Sequence, residues 1–326
     1  MPFPALTADV PPRPWSGRFD GDGGEHRRWW QAVSPLAPGE PFPATPSSPQ
    51  AGGPERPAVL LGFASDEGVR RNKGRPGAAL APAAIRGALG PLAFHLDRTV
   101  SDAGDMEVRN GALEAGQARA GLAIAAMLDA GRLTVVLGGG HETAFASYLG
   151  LAGSEAVRGG QRLGILNLDA HFDLRDEPVP SSGTPFLQMA EAEAAAGREF
   201  RYAVVGISEP NNTRALFGTA KRLGVQYLLD EECTEARVQA FVAEFLERVD
   251  VLYLTIDLDV LPASVAPGVS APAAYGVPLA VISAVCRQVA ASGKLLHLDV
   301  AELNPEFDID SRTAKVAARL VNTLLR

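Results

Sequence analysis

Six short runs of β-branched and aliphatic residues recur along this chain of 326 residues: AVLLGF (58–63), LTVVLGG (133–139), LGILNLD (163–169), YAVVGI (202–207), VLYLTIDLD (251–259) and LLHLDV (295–300). Strands buried on both faces read as near-continuous apolar runs, and parallel neighbours need long crossovers of the kind that separate these runs. One such crossover, 113–130, has helical spacing: Ala118, Leu122, Ala125 and Leu128 fall on one face, and Gly131 follows as a stop. The alternation predicts an α/β fold, a single-domain parallel sheet flanked by helices on both faces. No internal repeat or composition change divides 58–326. Residues 1–57 are different, rich in Pro, Gly and Ser. They read as an N-terminal extension packed on or leading into the domain, with 42–57 as a surface loop or linker.

Composition narrows the function classes. A hydrophobic fraction of 46% with 21% charged residues belongs to a soluble globular chain. Thirty Lys and Arg against 38 Asp and Glu give a net charge of -8, which argues against a nucleic-acid partner but leaves room for a local basic pocket. No apolar run approaches the roughly 18 residues of a membrane span. The opening MPFPALTADVPPRPW lacks the basic start and apolar stretch of a signal peptide, so a cytoplasmic location is expected. The two cysteines, Cys233 and Cys286, form no CxxC pair, so they suggest neither a disulfide framework nor a thiolate metal site; inert buried thiols are expected.

Ligands of parallel sheets bind beyond the carboxyl ends of the strands, and the polar residues of this sequence collect there. GGGHE (138–142) follows one run, NLDAHFDLR (167–175) ends another, DLD (257–259) ends a third, and AELNP (301–305) follows the last. If 167–175 continued as a strand, its period of two would send Asp169, His171 and Asp173 to one face. Two carboxylates would then repel unless something cationic sat between them. Taken singly, a strand-terminal Asp often caps a helix and a lone His is often a satisfied core residue. Together, Asp169, Asp173, Asp257 and Asp259 with His141 and His171 are a hard, thiolate-free donor set that suits manganese better than structural zinc. Six side chains exceed what one tetrahedral ion takes, and carboxylates bridge ions about 3.5–4 Å apart, so two metals per chain are expected. Water bridging two such ions is acidified to hydroxide at neutral pH, a nucleophile for metal-assisted hydrolysis.

GGGHE, DAHFD and DLDVL as a set resemble the ureohydrolase superfamily of arginase and agmatinase, over almost the whole chain. WSGRFDG, RRWWQAV, LLGFASDEGVRRNKGRPGAALAP (60–82), DAGD (102–105), HFDLR, SSGTPF (181–186) and HLDVAELNP (297–305) resemble its formimidoylglutamase branch. The resemblance implies an arginase-like three-layer α/β/α domain over 58–326. It also implies hydrolysis of N-formimidoyl-L-glutamate to L-glutamate and formamide, a step of histidine degradation, through hydroxide attack on the amidine carbon. Carried over by position, Asp169 and Asp257 bridge two Mn ions, His141 and Asp173 complete one, and His171 and Asp259 the other. Asp173 is the expected proton carrier to the departing α-amine. Glu302 matches the acid that faces the amidine or guanidine nitrogens, with a helix-start carboxylate as the plainer alternative.

Two positions bear on specificity. Arginases and agmatinases carry His where this chain has Ser182, so a histidine proton shuttle is missing. Arg175 stands where arginases have a small amide touching the substrate carboxylate, and its fork suits a dianionic amino acid. Ser181 and Ser182, with Arg71 and Asn72 of the basic loop VRRNKGR (69–75), complete the expected substrate-binding set. The alternatives are a hydrolase of another guanidino acid or amine, a one-zinc deacetylase of similar architecture, and a non-catalytic relative; all six expected ligands being present argues against the last. Expected partners are a small-molecule substrate and, by analogy with relatives in the superfamily, further copies in a homo-oligomer.

Overall fold

The computed structural model describes residues 8–36 and 56–326. Among these residues nine strands form one sheet: β1 Ser34–Pro35, β2 Ala58–Ala64, β3 Val100–Glu107, β4 Leu133–Leu137, β5 Leu163–Leu168, β6 Tyr202–Ile207, β7 Gln226–Leu229, β8 Val251–Asp257 and β9 Leu295–Ala301. Their order is β1-β3-β2-β4-β9-β8-β5-β6-β7, and every paired neighbour is parallel. All six expected runs are strands. Among the described residues no helix is long and apolar enough to cross a membrane.

Strand residues alternate between two apolar layers. Leu60, Val135 and Leu298 point into one, closed by helices Ala81–Leu89, Leu279–Ala291 and Arg312–Leu324 through Ile85, Val285 and Val321. Val59, Leu61 and Val136 point into the other, closed by Leu113–Asp129, Thr143–Gly153 and Pro185–Ala195 through Ile124, Tyr148 and Phe186. This is the three-layer arrangement the alternation predicts. Each fully buried Leu, Ile or Val contributes about 1.5–3 kcal/mol, which makes the sheet a stiff support for whatever its ends carry.

Two expectations need correction. The helix Leu113–Asp129 turns a shifted face inward: Leu113, Ala120, Ile124 and Met127 are buried, and of the expected stripe Leu128 is buried and Ala125 half-buried, whereas Ala118 and Leu122 are exposed. In an Ala-rich helix several stripes satisfy the period, and close approach decides between them. A Cβ on Gly121 would sit 2.7 Å from Cβ of Leu149, so the helix meets Thr143–Gly153 along its smallest residues. Strand β3, VSDAGDME, is also absent from the expected runs because its acids break the apolar pattern. They are tolerated because they are paired: Arg86 bonds Asp102 at 2.9 Å and Asp105 at 2.5 Å, and Trp15 Nε1 donates to Asp102 at 2.8 Å.

Of the expected extension, 8–36 packs on the domain. Trp29 is buried, donates from Nε1 to Asn322 at 2.9 Å, and lies against Trp15 and Phe94. The expected linker at 42–57 lies outside the described residues as far as 55.

Candidate metal centre

The four strand ends that carry acid or imidazole are neighbours at the middle of the sheet, where β4, β9, β8 and β5 lie side by side. The chain leaves β4 for β5 and returns later to fill the gap with β8 and β9, which places the crevice where the connections diverge.

The opening segment of the site is not a continuing strand. β5 stops at Leu168, and Asp169 Oδ1 accepts the backbone N–H of His171 at 2.6 Å, turning the chain. Asp173 then adopts the left-handed region, with φ 47°. Convergence of Asp169, His171 and Asp173 therefore comes from a turn and not from the pleat. DLD repeats the device, with Asp257 Oδ1 accepting the N–H of Asp259 at 2.9 Å. Glu302, the first residue after β9, is also left-handed, with φ 68°. Such strained positions persist where the surroundings over-determine them, as they do at functional sites.

Two groups of donor atoms result. His141, Asp169, Asp173 and Asp257 offer atoms within 4.8 Å of one another, and Asp169, His171 and Asp259 form a second such group. Asp169 belongs to both, as a bridging carboxylate must; Asp257 falls in the first group alone. His141 Nδ1 lies 2.9 Å from Asp173 Oδ2, 3.1 Å from Asp169 Oδ2 and 3.2 Å from Asp257 Oδ2. His171 Nδ1 lies 3.1 Å from Asp259 Oδ2 and 3.5 Å from Asp169 Oδ1.

The electrostatics ask for a cation. Burial disfavours a charged imidazole, yet the facing carboxylates hold both His141 and His171 well above the ordinary value. Burial and the neighbouring Asp259 and Asp169 push Asp257 well above the usual carboxylate range, and burial with Asp169 raises Asp173. Asp169 is lowered: burial opposes this, but hydrogen bonds from both imidazoles outweigh it. Four carboxylates and two imidazoles with no thiolate, preorganised into two groups that share Asp169, fit two divalent ions that would replace the imidazole protons.

A cavity of about 340 Å³ opens above this floor. Glu302 lines it, accepts the N–H of His141 at 2.8 Å, and is pushed up to about 8 by burial and by the charge of Glu142. Arg175 lines it with an exposed guanidinium that has no hydrogen-bond partner among the described residues; its backbone N–H donates to Gly183 O at 2.9 Å. Asn72 and Ser182 line it and bond each other at 3.1 Å. Ser181 is brought near but faces away, donating to Glu177 at 3.2 Å. Arg71 is not brought to the cavity. Its guanidinium is occupied by Glu67, Glu114 and the carbonyls of Pro180 and Gly111, so the structure corrects its expected substrate-binding place.

The cations that do line the rim from that loop are Lys73 and Arg75. Arg75 is braced by the carbonyls of Ser270 and Val269 and lies over the Phe307 ring at 4.0 Å, with no carboxylate partner among the described residues. Both stand in the quoted VRRNKGR, but sequence alone does not say which of four cations turns inward. Asn212 also lines the cavity, and holds the 170–172 turn by bonding Ala170 O and the N–H of Phe172. It follows the end of β6 in SEPNN, so the rule that polar residues gather at strand ends was the available signal.

The fold and site define a class: the chain belongs to the arginase family, whose profile matches residues 56–326. Within it, the formimidoylglutamase of Nocardia farcinica is 58% identical over 311 residues, 95% of each chain. That of Rhodococcus jostii is 57% identical over 319 residues, 97% of this chain and 96% of the relative. Among solved structures, Trypanosoma cruzi formiminoglutamase with Mn2+ superposes with a TM-score of 0.74 at 25% identity, covering 83% of this chain and 92% of that one.

Proposed function

We propose that this chain hydrolyses N-formimidoyl-L-glutamate to L-glutamate and formamide in the cytoplasm, as a step of histidine degradation, holding two manganese ions per chain. The observation that carries the reading is the division of charge in the cavity: an acidic floor of paired donors under a rim bearing Lys73, Arg75 and Arg175. A cationic amidine on a dianionic amino acid matches that division end for end, whereas agmatine, with a cation at each end, does not. Identity of 56–58% to relatives that carry this activity's name supports the same assignment.

His141, Asp169, Asp173 and Asp257 would hold one ion and Asp169, His171 and Asp259 the other. When bound, the ions supply Lewis-acid activation of water at neutral pH. Glu302 accepts hydrogen bonds from the amidinium nitrogens and holds their carbon over the floor. Asp173 Oδ1, the oxygen not engaged by His141, takes a proton from the attacking water and passes it to the α-nitrogen as its bond to the amidine carbon breaks, so glutamate leaves as an amine and the carbon departs as formamide. Arg175 holds a substrate carboxylate. In the proposal the partners are the small-molecule substrate and further copies of the chain.

The assay measures formamide and glutamate release from N-formimidoyl-L-glutamate with manganese present, beside arginine, agmatine and guanidinobutyrate. Turnover of the first and not the others is expected. Turnover of a guanidino compound with none of formimidoylglutamate overturns the reading.

A further inference from the structure

One buried polar side chain of the segment NLDAHFDLR has no part in the proposed reaction. Asn167 belongs to β5, where the period of two puts it on the face of Ile165, in the apolar layer that holds Phe172, Phe186 and Tyr202. It has no exposed surface. The apolar run around it calls for Leu or Val, and an amide is badly served in such a core position. Its Oδ1 is buried with no hydrogen-bond partner among the described residues, a cost that an apolar side chain would not carry. Something must hold the nitrogen where it is.

Two acceptors do. Asn167 Nδ2 donates to Asp169 Oδ2 at 2.9 Å and to the hydroxyl oxygen of Tyr202 at 3.0 Å. Tyr202 has a single hydroxyl hydrogen, and it goes to Phe172 O at 3.1 Å, a carbonyl that can only accept. Geometry therefore sets the direction at both ends: turned over, the amide would aim its oxygen at a carboxylate and at a hydroxyl whose hydrogen is already spent. The Tyr202 ring is itself fixed, stacked on Phe186 with centroids 4.4 Å apart. With the N–H of His171 on Oδ1, both oxygens of Asp169 are tethered, Oδ2 facing His141 and Oδ1 facing His171. We propose that Asn167, its amide directed by Tyr202, is a positioning residue that sets the carboxylate plane of Asp169 so that one oxygen is offered to each of the two ions. The inference rests on the metal-centre reading but not on the identity of the substrate.

The test is a manganese titration of metal-free protein, followed by the paramagnetic resonance signal of free aqueous Mn2+, beside the melting temperature of the same metal-free protein. Asn167→Leu keeps the approximate volume and removes the donors. Tyr202→Phe keeps the ring on Phe186 and removes the hydroxyl, and Ile165→Ala opens a cavity on the same face without touching a bond to Asp169. Removing a group that orients a metal ligand costs about 10–100-fold in metal affinity, the loss expected for Asn167→Leu. Tyr202→Phe, which frees the amide to turn, is expected to lose about fivefold, the worth of one neutral hydrogen bond. Ile165→Ala is expected to melt lower yet bind manganese as wild type does. Wild-type affinity in folded Asn167→Leu overturns the proposal, and so does a loss in Ile165→Ala equal to that in Asn167→Leu, since affinity would then follow stability alone. Unchanged affinity in Tyr202→Phe overturns it as well, whether or not Asn167→Leu folds. A wild type that binds no manganese sinks the metal reading itself; tight metal binding without turnover of formimidoylglutamate sinks only the substrate assignment.

Discussion

The floor and the rim of the cavity are built by different means. Floor residues stand at or just beyond the ends of β4, β5, β8 and β9, and His141, Asp169, Asp257 and Asp259 are buried and bonded to one another. Rim residues Lys73 and Arg175 sit on loops and are exposed. A sheet end fixes atoms because strand, ladder and core all over-determine it, which is what metal chemistry needs; a loop tolerates changes of side chain, which is what substrate choice needs. The two meet at Glu142, the neighbour of His141. Its Oε1 accepts the hydroxyl of Ser65 at 2.6 Å and the N–H of Gly68 at 2.9 Å, at the base of the loop that bears Lys73 and Arg75. A Cβ on Gly68 would lie 2.5 Å from Glu142 Oε2, so the loop is pressed directly onto the floor.

The largest effect is expected on the floor. Asp169→Ala removes the one carboxylate shared by both donor groups. Turnover should fall by at least about a thousandfold and metal content with it, since in the proposed centre the lost side chain would serve both ions. Elemental analysis beside the rate checks this. Two tightly held ions in active Asp169→Ala protein would erase the distinction between floor and rim.

On the rim, Arg175→Ala should leave the metals in place and weaken the hold on a substrate carboxylate. Hydrogen bonds to charged groups are worth about 1.5–3 kcal/mol, so kcat/KM should drop roughly 10- to 150-fold, nearer the lower figure because Arg175 is exposed. Arg175→Lys should recover part of it, a point charge replacing a fork. Near-normal kcat/KM in Arg175→Ala would move the carboxylate site to Arg75 and Lys73.

That same contrast explains what could be read from the sequence. The floor was legible: DAHFD, DLD and GGGHE stand at the ends of apolar runs, and the six acids and imidazoles expected to bind metal, Glu142 not among them, each lie in a group of donor atoms that could hold an ion. The mode of convergence was not legible, because an Asp side chain bonding the backbone two residues on looks the same in a sequence as one continuing a strand. The rim was legible only as a basic loop. Arg71 and Arg75 differ by four positions and share a residue type, and what separates them is that Glu67 and Glu114 neutralise the first while backbone carbonyls brace the second. Strand β3 was hidden for a related reason, its acids being paired by Arg86 and Trp15 from far along the chain.

A smaller effect is expected where floor and rim join. Glu142→Gln keeps one oxygen acceptor and loses the charge, weakening the grip on Ser65 and Gly68 by about 1 kcal/mol. KM should rise about fivefold with kcat and metal content little changed, because the loop shifts while the floor stays. A fall in kcat at constant KM would show that Glu142 acts on the floor instead.

The smallest effect on activity is expected at the cysteines, which belong to neither region. Burial pushes both thiols up to about 12, Cys286 being fully enclosed and Cys233 also facing the charges of Asp230 and Glu232. Only the thiolate attacks electrophiles, so at pH 8 about one thiol in ten thousand is reactive, and iodoacetamide should leave the native enzyme active. Cys233→Ser and Cys286→Ser should keep kcat/KM within about twofold. Stability is a separate matter: a serine hydroxyl at 286, in a core position with no exposed surface, lacks a built-in partner and costs about 1–3 kcal/mol, so the melting temperature of Cys286→Ser should fall while its rate holds. A folded Cys286→Ser protein with normal metal content and lost turnover would mean that the core, and not only the strand ends, takes part in the chemistry.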